Sequence, residues 1–360
     1  MKILFCSEGF LIDGVASFNL YLSAALRKAG NEVAIAGRWS GFKSFKSRHK
    51  EHGVNVIDGF SLTPISRNLV SRSLDFDPDM IITDARRAFP LALEIKKRSR
   101  AKLVTVFHDE IRDDPRKERS LDTIIRFSDG WATSEGPILD QMKKLGTGLP
   151  LALIHRPITG MVHPTPLPPR DPFRVLSLGR LSGYKSPGHL SLLNHVGALK
   201  KAIPSLEITF VGGGDRTPLF RFKALKENLK AGSTYVRVAG SVTNPNDWLK
   251  WSTIVCAGAT SAAEAVLSNR PTIAFSGYWM GLIGPDNIEQ GISWHFGERA
   301  GHFRMKHHLG ITSETLIDIY SKWDQEQVEQ NTRETRMALA KEFDSEEIAG
   351  QFMAFFANLK

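Results

Sequence analysis

Apolar residues in this chain gather in short unbroken runs separated by polar, charged stretches, and that pattern predicts its elements. It opens with KILFC, short enough for a buried strand, and a polar loop, SEGFLIDG. ASFNLYLSAALRKAG follows, an amphipathic helix pattern that closes at Gly30. The next apolar runs are EVAIAG, VNVID, MIIT, KLVTVFHD, DGWATS and LALI, with a helical stretch from Pro90 to Arg98 among them. Continuous apolar strands alternating with helical segments predict a parallel α/β sheet wrapped by helices.

Residues 157–172, PITGMVHPTPLPPRDP, break the pattern with six of the 18 prolines, too many for a helix or a central strand. The alternation then restarts: FRVLSLG, a helix near 188–202, LEITFVGGG, a helix near 218–230, YVRVAG, a helix near 245–251, TIVCAG, a helix near 262–268, and PTIAF. Two βαβ domains in tandem are expected, 1–160 and 173–340, joined by a Pro-rich linker at 161–172. A last helical segment, 341–360, carries the apolar AGQFMAFFANL.

Composition agrees with this reading. A chain of 360 residues is too long for one ordinary core and suits two. At 42% hydrophobic and 24% charged it excludes disordered and fibrous classes. The longest apolar runs fall far short of the roughly 20 residues a membrane span needs. Glu8 interrupts the opening before a signal-peptide core can build. Cys6 and Cys256, each inside an apolar run, exclude a disulfide framework and read as small buried hydrophobes in a reducing cytoplasm. The net charge is +9, and residues 1–160 hold 25 basic against 19 acidic residues. Two runs dominate there: Arg38, Lys43, Lys46, Arg48 and Lys50, then Lys96, Lys97, Arg98, Arg100 and Lys102. Such runs favour a polyanion or an anionic membrane surface on the inner face of the cell membrane; the plainer reading is a solvated loop and a helix end.

Parallel α/β sheets bind ligands at the carboxyl ends of their strands, so the loops after the strands carry the chemistry. Four stand out in the second half. Gly179-Arg180-Leu181-Ser182-Gly183-Tyr184-Lys185 offers two cations that can grip one diphosphate. Val211-Gly212-Gly213-Gly214-Asp215 lets backbone N–H groups approach a phosphate, without the GxGxxG or GK[ST] patterns of dinucleotide and P-loop sites. Gly240-Ser241-Val242 suits backbone reading of a base edge. Gly258-Ala259-Thr260-Ser261 leads to Glu264, with Ser261 and Glu264 spaced as a capping box. The alternative for Glu264 is to accept from ribose hydroxyls beside a helix start that favours phosphate.

Together GRLSGYK, VGGGD, AGSV and EAVLSNRP resemble, in order and spacing, the nucleotide-binding half of GT-B glycosyltransferases of the retaining family 4 type. The likeness covers about residues 170–295 well, while KILF and GVASFNLYLSAALRKAGNEV resemble the family's opening strand, loop and helix. It implies two Rossmann-like domains facing each other across a cleft, with a closing helix that crosses back to the first. It also implies transfer of a sugar from a nucleotide-diphosphate donor to an acceptor hydroxyl, with retention and no metal, in bacterial surface glycan or glycolipid synthesis. Arg180 and Lys185 are then the groups that stabilise the leaving diphosphate, and His108, at the end of KLVTVF, lies beside the donor sugar. Gly14, Gly212, Gly213, Val242, Thr260, Ser261 and Glu264 bind the nucleotide sugar, and Asp84 and Arg86 hold the acceptor, whether glycan, lipid-linked or otherwise anionic. No cofactor and no nucleic-acid partner are expected. In one respect the chain departs from the pattern: the family's first glutamate is here Cys256.

Other signals read as structural. Asp77-Pro78-Asp79 spells a metal-binding D-x-D but directly precedes a strand, which favours a turn. His302, His307 and His308 lack acids at metal spacing and read as a surface cluster. Two rivals to the transferase remain: a nucleotide-sugar 2-epimerase, for which no set of acid/base carboxylates can be placed, and a non-catalytic nucleotide-sugar or polyanion-binding protein.

Overall fold

A computed structural model of the chain describes residues 1–9, 14–38, 46–59, 66–85, 87–111, 120–308 and 310–359. They form two compact units, Met1–Met161 with Phe343–Lys360, and Val162–Glu342.

In the first unit the apolar runs become strands β1 (Lys2–Gly9), β2 (Glu32–Arg38), β3 (Asn55–Gly59), β4 (Met80–Asp84), β5 (Lys102–Phe107), β6 (Gly130–Thr133) and β7 (Leu151–Leu153). Helices α1 (Gly14–Lys28), α2 (Lys46–Glu51), α3 (Arg67–Asp75), α4 (Phe89–Lys96), α5 (Leu121–Phe127) and α6 (Gly136–Leu145) lie between them. Among the described residues every pairing in this sheet is parallel, in the order β3-β2-β1-β4-β5-β6-β7.

Strand periodicity divides the core. Leu4 and Cys6 of β1 face a cluster with Leu69, Phe89, Ile124 and Ile138, from α3 to α6. Ile3 and Phe5 face Phe18, Leu22 and Leu26 of α1 on the other side. Both faces of the sheet are therefore covered, which is why its strands read as continuous apolar runs.

The second unit repeats the plan. Its strands are β8 (Arg174–Leu178), β9 (Glu207–Val211), β10 (Val236–Gly240), β11 (Ile254–Ala257), β12 (Thr272–Phe275), β13 (Tyr278–Ile283) and β14 (Phe303–Arg304). Its helices are α7 (Ser186–Asn194), α8 (Val196–Ala202), α9 (Thr217–Ala231), α10 (Asn246–Trp251), α11 (Ala259–Leu267), α12 (Ile288–Ser293), α13 (Ile311–Ser321) and α14 (Gln325–Glu342). The sheet order is β10-β9-β8-β11-β12-β13-β14. β13 and β14 add antiparallel to the parallel strands, an extension that the sequence reading left out.

The single helix expected near 188–202 is two. His195 Nδ1 lies 2.8 Å from the Ser191 carbonyl, which the His195 backbone N–H would otherwise use; that N–H bonds Leu192 instead, 3.1 Å away. The turn tightens there, His195 leaves the helical conformation, and α8 starts at Val196.

The final helix, α15 (Ser345–Ala357), belongs to the first unit. Asp344 caps its start by accepting from Glu346 N and Glu347 N, and Ile348, Ala349, Phe352 and Phe356 enter the same core as α1. Among the described residues no helix is long and apolar enough to cross a membrane.

Candidate functional site

In each sheet the strand order reverses between two adjacent strands, β1 and β4 in the first unit and β8 and β11 in the second. At such a switch point the flanking loops leave in opposite directions and open a crevice at the carboxyl ends of the strands. The loop after β8 holds Gly179 to Lys185, and the loop after β11 holds Gly258, so the second unit places two of the four sequence-selected loops at its switch point.

Backbone hydrogen bonds lace three of these loops together. Gly179 N donates to Val211 O at 3.0 Å, Leu181 N to Gly213 O at 2.9 Å and Gly212 N to Gly240 O at 2.9 Å. Gly212 is required on two counts: its φ is +145°, and a Cβ there would overlap the Gly179 carbonyl. Gly213 packs against the Ser241 hydroxyl, so the first, second and third loops form one surface, with Val242 next in line. Beneath it lies His189 of α7, buried, with Nδ1 2.7 Å from Ser177 Oγ. Burial, with the Lys185 charge adding to it, pushes its pKa down to about 4, so the ring is neutral at pH 7.

The two cations of the first loop differ. Arg180 is exposed and, among the described residues, has no carboxylate partner. Lys185 Nζ sits 2.6 Å from Glu298 Oε1, and His295 Nε2 lies 3.6 Å from the other oxygen of the same carboxylate. Sequence reasoning missed Glu298. It arrives over three successive residues with positive φ, His295 (49°), Phe296 (48°) and Gly297 (83°), and two of these are not glycine. Backbone in this conformation costs energy and persists where the surroundings enforce it. Gly297 packs against Phe275 at the end of β12 and Tyr278 at the start of β13, with Tyr278 N donating to Gly297 O at 2.9 Å.

The fourth loop corrects one expectation. The N-cap of α11 is Gly258, with no side-chain cap, so Ser261 is the third helical residue and no Ser261–Glu264 capping box forms. The helix starts three residues earlier than expected because Ala259 takes a φ of +53° and turns the chain at once out of β11. The first-turn N–H groups of Ala259, Thr260 and Ser261 therefore lack intrahelical acceptors and form an electropositive end. Glu264 is buried on this helix, one turn in. Cys256 lies wholly within the core of the sheet, and burial raises its thiol pKa, so it is an inert thiol and brings no polar group to the carboxyl edge.

In the first unit, Gly14 begins α1 and its carbonyl accepts from Arg156 Nη1 at 2.8 Å. His108 directly follows β5, its ring edge-on to Phe18 of α1 with centroids 4.8 Å apart. Arg156, buried and 5.9 Å from the same Phe18 ring, is a second residue that sequence reasoning missed. Gly14, Phe18, His108 and Arg156 are thus one cluster. Asp84 ends β4 and accepts from Arg87 N at 3.0 Å; Arg86 lies outside the described residues. Nearby Glu8 takes Arg87 at 2.9 Å and Arg38 at 3.2 Å, so ionic groups gather at the carboxyl ends of β1, β2 and β4.

The remaining motifs fall elsewhere. Asp79 sits at the amino end of β4, where its carboxylate accepts from Lys2 N at 2.7 Å, and Asp77 N bonds Leu74 O as part of the turn. His302 packs on Trp294 and His308 on Phe303. Among the described residues no group of three acidic, His or Cys side chains is placed to hold a metal ion.

No family model matches the chain, and no curated protein matches it in sequence. Solved structures do. HepE from Anabaena, in complex with UDP and glucose, matches with a TM-score of 0.70 over 100% of both chains at 15% identity. A sucrose-phosphate synthase from Thermosynechococcus elongatus gives 0.68 over 99% of this chain and 98% of its own, also at 15% identity. A glycosyltransferase from Rickettsia africae gives 0.65 over 99% and 98% at 13% identity. At identities this low the structural likeness shows the fold alone, and it is the α/β plan of two Rossmann-like domains with seven-stranded sheets expected of a GT-B chain.

Proposed function

We propose that the chain is a retaining, metal-independent glycosyltransferase that uses a nucleotide-diphosphate sugar. The observation that carries this reading is the edge of the second unit's sheet, where the uncapped start of α11 and the Arg180–Lys185 loop flank the same switch point. Fixed N–H dipoles and two cations are what a departing diphosphate needs, and together they replace a divalent ion. Glu264 takes the ribose hydroxyls, and the laced glycine loops lie against the base and phosphates. The ligands named for HepE, UDP and glucose, are of the same chemical class.

In the reaction the anomeric carbon–phosphate oxygen bond breaks and the acceptor oxygen bonds the same face of the sugar. The acceptor proton passes to the leaving phosphate, so no protein nucleophile is needed. On this reading His108 and Gly14 belong to the sugar's surroundings, and Asp84 and Arg86 to the acceptor's. The basic excess of residues 1–160 suits an anionic acceptor at the cytoplasmic face of a membrane, as in bacterial surface glycan or glycolipid synthesis.

The buried Cys256 favours a second reading, a binding protein that turns nothing over. One experiment decides. The chain is incubated with UDP-, GDP- and ADP-sugars, with and without EDTA, and nucleotide release is followed beside binding. We expect release from at least one donor, unaffected by chelator. Arg180→Ala should lower kcat/KM by about tenfold to a hundredfold, as a charged contact worth roughly 1.5–3 kcal/mol predicts. Binding without release selects the second reading; loss of activity in EDTA that manganese restores removes metal independence.

A further inference from the structure

Helix α9 has two apolar faces where one is enough. Phe220 and Ala224 are buried and hold it to the sheet. On its outer side Phe222 (67% exposed), Leu225 (58%) and Leu229 (73%) stand in water, with Leu219 at the margin. At 100° per residue these three occupy an arc of about 60°, roughly 150° away from the buried pair. Cations border the arc on both sides, Arg221 on one and Lys223, Lys226 and Lys230 on the other; Glu227, the one acid of the helix, engages Lys230 and leaves the other three without an acid on α9. Arg237, exposed on the edge strand β10 that α9 packs against, extends the positive border.

An apolar stripe between two rows of lysine and arginine is the chemistry of a helix lying in the plane of an anionic bilayer: side chains enter the acyl boundary while the cations meet the headgroups. The basic run at 96–102 has less to offer. Glu94 engages Lys97 and Arg98, Asp129 engages Lys96 and Lys102, and among the described residues no exposed apolar stripe accompanies it. We infer that the exposed face of α9 is the surface by which this protein docks on anionic lipid. The inference rests on the membrane-face part of the proposed function and names its contact.

The test is co-sedimentation of the full chain with vesicles of phosphatidylcholine plus phosphatidylglycerol, and with phosphatidylcholine alone. Wild type should pellet with the anionic vesicles and dissociate in high salt. The triple variant Phe222→Ser, Leu225→Ser, Leu229→Ser should lose binding by at least about tenfold per side chain removed. All three positions are exposed, so its melting temperature should match wild type. The variant with Lys96, Lys97, Arg98 and Arg100 changed to serine should still bind. Phe222→Trp should bind and show fluorescence quenching by brominated acyl chains. Absence of wild-type binding overturns the membrane-face reading and the inference together. Wild-type binding that the triple serine variant retains, or that only the first-unit variant loses, overturns the inference alone. So does a concentration-dependent dimer that the serine substitutions abolish while vesicle binding persists.

Discussion

Glu298 holds the Lys185 ammonium at 2.6 Å, so one of the two cations in the Gly179–Lys185 loop is already engaged by a carboxylate. Under the proposed function, a nucleotide diphosphate entering this loop meets the field of both. Removing the negative charge while keeping the shape, as in Glu298→Gln, should tighten UDP binding about threefold to tenfold, because an ion pair partly shielded from water acts through a low effective dielectric. Turnover should move the other way, since Lys185 Nζ loses the group that fixes its position. Calorimetry for UDP and steady-state kinetics for the donor would show the split; equal loss of both would mean that Glu298 only supports the fold. The sequence made Lys185 visible because it follows a strand within a glycine-bearing loop. Glu298 was invisible because strain at His295 and Phe296, not a motif, delivers it.

Two helices carry buried histidines whose titration links acid to stability. His189 on α7 is pushed down to about 4 and His49 on α2 to about 3, each mainly by burial, with Lys185 adding for the former and His52 and Arg48 for the latter. Each takes up its proton near pH 6.5 once unfolded and much later when folded. Their contribution is therefore complete above about pH 6.5 and falls as the pH drops toward 4, by about 1.4 kcal/mol per pH unit for each ring. Urea unfolding at pH 7 and pH 5 should show this loss, and His189→Gln should reduce it; an unchanged loss would remove His189 as a cause.

Helices of this kind also mark where reading the pattern stopped. The α2 segment, KSRHKE, contains no aliphatic residue and buries only His49, so hydrophobic periodicity is silent there. The same limit applied to α3, whose polar RNLVSRSLD packs through Leu69 and Val70. The parallel strands were legible because burial on both faces leaves a continuous run. The start of α11 was misplaced because a left-handed alanine has no signature in the sequence.

For the whole molecule the decisive contact is α15. Phe352 is fully buried among α1 and the strands, and Phe352→Ala should cost the first unit about 3–5 kcal/mol. Calorimetry should then show one transition moving to lower temperature while that of the second unit stays in place; a common shift would mean that the units unfold together. The chain leaves and re-enters the first unit through neighbouring segments: Ile158 N and Thr159 N donate to Phe343 O at 3.2 Å, and Gly160 N to Ser345 Oγ at 2.7 Å. The second unit is in effect an insertion, and this has a consequence during synthesis. Strands β1 to β7 emerge from the ribosome first, yet the face that α15 covers stays open until residues 162–342 have followed, a wait of about 10–35 s at ordinary elongation rates. During that interval the nascent chain shows an apolar surface of Ile3, Phe5, Val33 and Ile82 partly uncovered, a target for chaperones. The unit made first is the one completed last.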